Sequence, residues 1–166
     1  MPISPTATVT SLVAQLAEQL ERRGVQVTTA ESCTGGAIAS ALTERSGSSV
    51  WFEYGFVTYS NAAKHALLGV EEAIFEQHGA VSQACVEAML HGALRVSGAA
   101  FGVAVSGVAG PGGGTPEKPV GTVWLSWGER DHRPHSSCFQ FQGDRQQIRQ
   151  QAVIQAVSAL LGLAEK

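Results

Sequence analysis

The chain has 166 residues, a formal net charge of −3 and 44% hydrophobic residues. That is long and apolar enough for one packed domain spanning residues 1–166, and it excludes a disordered chain. No Lys/Arg run is present, which argues against a nucleic-acid-binding surface, because phosphate contacts need clustered positive charge.

Residues 1–9 read as a loose lead-in. No basic-then-apolar signal pattern is visible there, and no apolar run reaches a membrane span, so a soluble cytoplasmic protein is expected. Leu12, Leu16 and Leu20, with Val13, form a helical stripe that ends near Arg22-Arg23-Gly24, where a basic pair and a glycine suit a helix C-terminus. Val25, Val27 and Thr29 alternate with polar neighbours as a short strand. Ser32-Cys33-Thr34-Gly35-Gly36 follows and opens a helix over 37–43. Val50 to Phe52 is a short apolar piece, and Gly55 to Tyr59 reads as a second strand. Ser60-Asn61 suits the N-cap of a helix over 62–68. A short helix is expected over 71–77, and Ser82 caps a longer one to about Val96. Phe101 to Ser106 is almost continuously apolar, as in a central strand. Gly107 to Pro119 is a glycine- and proline-rich loop. Val120–Trp127 and Ser136–Phe141 alternate like a hairpin, and Asp144 with Gln147 resembles a capping box for a last helix bearing Ile148, Ala152, Ala156 and Leu160. Helix–strand alternation followed by a hairpin predicts an α/β fold, a three-layer α/β/α sandwich with a mixed sheet.

Three loops could carry chemistry: Ser32–Gly36, Gly47–Ser49 and Gly107–Gly114. Glycine lets a backbone approach a ligand closely, and the first N–H groups of a helix suit an anion or an oxyanion. The start of the helix at residue 37 is therefore a candidate anion site, although the same stretch serves equally as a plain βα turn. The loop from Gly107 is neither a Walker A loop nor a dinucleotide fingerprint, since no Gly-Lys-Ser/Thr ends it and a strand follows. Lys64 lies just inside a helix start. Burial by Trp51, Phe52 and Phe56 together with the helix dipole would lower its pKa, and a neutral lysine can deprotonate a serine. Ser48-Ser49 and Tyr59 are close in sequence. Cys33 competes as a nucleophile, since a cysteine near a helix N-terminus can be activated. Cys33, Cys85 and Cys138 contain no CxxC pair, so neither a disulfide framework nor a zinc site is expected. Arg145 and Arg149, one turn apart, could share a phosphate.

Taken together, Thr28-Thr29-Ala30-Glu31-Ser32-Cys33-Thr34-Gly35-Gly36, Gly47-Ser48-Ser49, Gly55 to Asn61 with Lys64, His78 to Ser82, and Ser106 to Pro111 through Lys118 to Val123 resemble the CinA C-terminal domain family. The resemblance covers about Leu12 to Leu161. It implies deamidation of nicotinamide mononucleotide to nicotinic acid mononucleotide and ammonia, in pyridine-nucleotide recycling, without metal or organic cofactor. It further implies Ser49 as nucleophile, Lys64 as its base, and Tyr59 and Ser32 assisting, with Ser48 and Ser32 as alternative nucleophiles. Thr34, Gly35, Gly36, Gly107, Gly110, Pro111 and Arg145 would bind substrate. A homo-oligomer is also implied, while the charge and the lack of a long apolar run lead us to expect no nucleic-acid or membrane partner. The alternative reading is a non-catalytic pyridine-nucleotide-binding module linked to competence or DNA-damage responses.

Overall fold

The architecture was taken from a computed structural model that describes residues 5–166. Helix α1 spans Pro5–Arg23, so helix begins four residues inside the expected lead-in; residues 1–4 lie outside the described residues. Strand β1 (Val27–Glu31) follows, then α2 (Ala37–Thr43), a 3-10 turn over Ser48–Val50, β2 (Phe52–Val57), α3 (Asn61–Leu68), α4 (Glu72–His78), α5 (Gln83–Ser97), β3 (Phe101–Gly107), β4 (Thr122–Glu129), β5 (His135–Gln140) and α6 (Arg145–Ala164). The second strand thus starts three residues before Gly55 and stops short of Tyr59, because the apolar piece at Phe52 joins it.

The five strands lie in the order β2-β1-β3-β4-β5. β1 pairs in parallel with both β2 and β3, whereas β3–β4 and β4–β5 are antiparallel, so the sheet is mixed as expected. Strand alternation divides the core in two. Val27, Val103, Val105 and Leu125 face Leu16 and Leu20 of α1, Ile38 and Leu42 of α2, and Ile148, Ala156 and Leu160 of α6. Ala30 and Ala104 face Leu68 of α3 and Val86, Met89 and Leu90 of α5. This is the three-layer α/β/α sandwich.

The caps follow the sequence signals. Ser60 Oγ accepts from Ala63 N and Ser82 Oγ from Cys85 N, and Asp144 and Gln147 form the complete capping box. The order of strand addition reverses at β1: β2 lies on one side of it and β3 on the other. The carboxyl ends of such neighbouring parallel strands form the crevice where α/β proteins place ligands. Ser32 follows β1 at that end, Thr58 and Tyr59 follow β2, and Val108–Pro111 follow β3.

Candidate active site

Lys64 is the fourth residue of α3 and is only 1% exposed. Its Nζ lies 3.0 Å from Ser32 Oγ, 2.9 Å from the Thr58 carbonyl oxygen and 3.1 Å from that of Tyr59. No acidic partner reaches it among the described residues. Burial pushes the amine below its ordinary value of 10.5, with the nearby Cys85 and Cys33 thiols opposing the shift. Of the aromatic residues expected to bury it, Trp51 and Phe52 pack on the α1/α2/α6 side of the sheet, and Phe56 packs on the α5 side.

The arrangement has a chemical consequence. A neutral amine has two N–H donors and one lone pair. Two carbonyls take the two donors, which leaves the lone pair for the Ser32 hydroxyl. The same site would ask an ammonium to donate to all three oxygens. Ser32 is itself 8% exposed, and its backbone is fixed on both sides: its N–H donates to Val105 O at 3.1 Å and its carbonyl accepts from Gly35 N at 3.0 Å.

Ser49 is not part of this cluster. The parallel register sets Val27 opposite Phe52 and Glu31 opposite Val57. Ser49 precedes β2 and Ser32 follows β1, so the two serines lie at opposite ends of the sheet, separated by at least the strand length of about 13 Å. The pairing of Ser49 with its own chain's Lys64 is therefore corrected: the hydroxyl on Lys64 is that of Ser32. The same applies to Ser48, which lies in the same 3-10 turn. Sequence proximity misled here, because Ser48 and Lys64 are connected through the whole of β2.

Tyr59 reaches the site in two ways. Its carbonyl holds Lys64, while its 60%-exposed ring points toward α6, where the hydroxyl accepts from Arg145 Nη2 at 3.1 Å. Arg145 Nη1 donates to Gly110 O at 2.8 Å. This explains a cation at a helix start, where the dipole disfavours it: the guanidinium joins the loops after β2 and β3. Gly110 has φ +80°, and a Cβ there would stand 2.5 Å from Val120 Cγ1, so glycine is needed for the loop to fold over Val120. The Gly110–Pro111 peptide bond is cis. Gly107 ends β3.

The start of α2 is not an open anion site. The Glu31 carboxylate already fills it, accepting from Ile38 N at 2.8 Å, Ala39 N at 3.0 Å and Thr34 Oγ1 at 2.7 Å. Thr34 accordingly turns its hydroxyl inward, and only the outer side of the turn, with exposed Gly35 and half-buried Gly36, faces out. Arg149 does not join Arg145 on a shared anion; its Nε and Nη2 donate to the carbonyls of Cys33 and Thr34 at 3.2 and 3.0 Å. Sequence reasoning placed Glu31 and Arg149 near the site without these tasks, and no local pattern signals a contact across 115 residues.

Cys33 is buried, and desolvation pushes its thiol up to about 11, so it is protonated at neutral pH and is no activated nucleophile. Among the described residues no three His, Cys, Asp or Glu side chains cluster as a metal site. A cleft of about 280 Å3 lies behind the turn, between α1, α2 and α6; Arg149 lines it, and Ser32 and Lys64 do not.

Known proteins share this framework. The family model of the CinA C-terminal domain matches residues 9–164. A Pseudomonas putida protein named nicotinamide-nucleotide amidohydrolase PncC is 60% identical over 155 residues, 93% of this chain and 96% of its own. The Escherichia coli K12 protein of the same name is 49% identical over 88% of each chain. The crystal structure of competence/damage inducible protein CihA from Agrobacterium tumefaciens superposes with a TM-score of 0.94 at 41% identity over the full length of both chains. With the family model matching nearly all of its length and the relatives alike over most of theirs, the chain belongs to the CinA C-terminal domain family.

Proposed function

We propose that the protein is a nicotinamide-nucleotide amidohydrolase that converts nicotinamide mononucleotide to nicotinic acid mononucleotide and ammonia, within pyridine-nucleotide recycling. The observation that carries the reading is the buried Lys64 amine on the Ser32 hydroxyl, and the names of the Pseudomonas putida and Escherichia coli relatives support the substrate. Neutral Lys64 takes the Ser32 proton as Oγ attacks the carboxamide carbon, giving a tetrahedral intermediate. N–H groups of the 32–36 turn stabilise its oxyanion; losing one such donor costs about 10²–10³ in rate. The intermediate collapses as Lys64 returns the proton to the departing nitrogen, and ammonia leaves. Water, deprotonated by the same amine, then hydrolyses the acyl-enzyme and restores Ser32. Arg145 retains N–H groups beyond those on Tyr59 and Gly110 and sits where the loop from Gly107 opens, which suits the ribose phosphate. Ser32 and Lys64 replace the Ser49–Lys64 pair, with Tyr59 positioning Lys64 through its carbonyl.

The test is ammonia release from nicotinamide mononucleotide by wild type, Ser32→Ala, Lys64→Ala and Ser49→Ala, with nucleotide binding followed in parallel. Turnover by wild type and Ser49→Ala, with the other two binding but inert, is the expected pattern. Binding without ammonia release by the wild type would sink the enzymatic reading and leave a pyridine-nucleotide-binding module. An inert Ser49→Ala beside an active Ser32→Ala would move the attack to Ser49 of another copy, since Ser49 and Lys64 of one chain lie a sheet's length apart.

A further inference from the structure

We infer that Glu31 and Arg149 are positioning residues that clamp the Ser32–Gly36 turn from its inner and outer sides and so hold the Ser32 hydroxyl on the Lys64 amine. The inference rests on the reading of Ser32 as the attacking group.

Glu31 is the last residue of β1, directly before Ser32, and is fully buried. A buried carboxylate is expensive unless it is paired or fully hydrogen-bonded. No cation bonds to it among the described residues; it takes the Thr34 hydroxyl and the amides of Ile38 and Ala39 instead. A Ser or Asp cap at position 36, the N-cap of helix α2, would be strained, because the backbone there is left-handed at φ +97°. Gly36 stands there with no side-chain cap. Capping from the preceding strand does what a local cap cannot: it ties the end of β1 to the start of α2 across the turn and closes residues 31–39 into one ring.

Arg149 completes the clamp from α6. Its Nε and Nη2 hold the Cys33 and Thr34 carbonyls, and a Cβ at Gly35 would stand 3.2 Å from Nη2, so the guanidinium lies close against the turn. Ser32 has a single side-chain torsion with three staggered wells, so the backbone position determines where Oγ can be. Its 3.0 Å distance to Lys64 Nζ therefore depends on a turn fixed by these two charged groups.

The experiment uses Glu31→Gln and Arg149→Gln in the full chain. Steady-state ammonia release from nicotinamide mononucleotide gives kcat and KM. A fluorophosphonate probe, located by peptide mass spectrometry, reports the reactivity of the serine, and melting temperature reports folding. Gln at position 31 has the same shape but sets an NH2 group against one of the donors that the carboxylate accepts. Misplacing a reacting group by about 1 Å costs about 10²-fold, so kcat should fall by roughly that factor in either folded variant, with KM within about threefold of wild type. Probe labelling of Ser32 should slow in parallel. Folded variants with wild-type kcat and labelling rate overturn the inference and leave the Ser32 reading standing. A rise in KM alone overturns it in favour of substrate contact. Wild-type labelling on a serine other than Ser32 overturns the Ser32 reading and this inference with it. If Glu31→Gln does not fold, the Arg149→Gln result decides by the same criteria.

Discussion

Lys64→Met keeps a long unbranched stem and removes the amine, so it separates what the nitrogen does for turnover from what it costs the fold. Loss of a positioned general base lowers kcat by about 10²–10⁴. The effect on stability runs the other way with pH. Burial holds the folded-state pKa of Lys64 below 10.5, so between that value and 10.5 the unfolded chain binds more protons than the folded one. Stability of the wild type therefore rises with pH through this window, and the penalty is complete below it and gone above it. One proton limits the slope to about 1.4 kcal/mol per pH unit. Methionine does not titrate, and the hydrogen bonds it forfeits to Thr58 O and Tyr59 O add an offset with little pH dependence. Urea unfolding from about pH 6 to about pH 10 gives the free energy of each protein along this series. The advantage of wild type over the variant should grow as pH rises. Parallel stability curves would refute the depressed amine, and a variant that still turns over at the wild-type rate would refute its role as base.

Arg145→Ala should raise KM for nicotinamide mononucleotide by about 10–100-fold with a smaller change in kcat, the size of a lost charge-assisted contact, and Arg145→Lys should recover part of it in steady-state assays. Iodoacetamide on the native protein at neutral pH should label exposed Cys138 and leave turnover intact, because Cys33 and Cys85 are buried and desolvation pushes their thiols up to about 11; inactivation that tracks label on Cys33 would revive a thiol mechanism. Gly92→Ala should cost about 3 kcal/mol, or about 6–12 °C in melting temperature, since no space exists for the methyl. Its Cβ would lie 2.0 Å from Leu68 O, and α3 would have to separate from α5; an unchanged thermal melt would contradict that contact.

Elements with a strong local signature were legible from sequence. The stripe at Leu12, Leu16 and Leu20, the caps at Ser60, Ser82 and Asp144, and the apolar run at Phe101 all mark real boundaries or buried faces, because each depends on neighbours within a turn or two. The boundaries of β2 were less clear: its exposed, mixed residues lack a clean alternation, as suits an edge strand that is exposed or half-buried throughout. Lys64 was legible as a candidate base, but its partner was not. Ser49 is closer in sequence and Ser32 closer in space, and only the parallel register of β1 and β2 distinguishes them. The inward turn of Thr34 and the Arg149 contacts depend on Glu31 and on α6, and no spacing rule reaches that far.

The placement of Arg145 and Arg149 on α6 also bears on how the protein is made. Chains emerge from the ribosome N-terminus first, and domains fold as their segments become available. β1, its turn and α3 are synthesised early, yet the loops after β1 and β3 receive their guanidinium contacts only from the last helix, which also supplies Ile148, Ala156 and Leu160 to the core against α1. Ser32 and Lys64 thus exist on the nascent chain long before their surroundings are complete. A nascent chain on which α6 has not yet been made should therefore be inert.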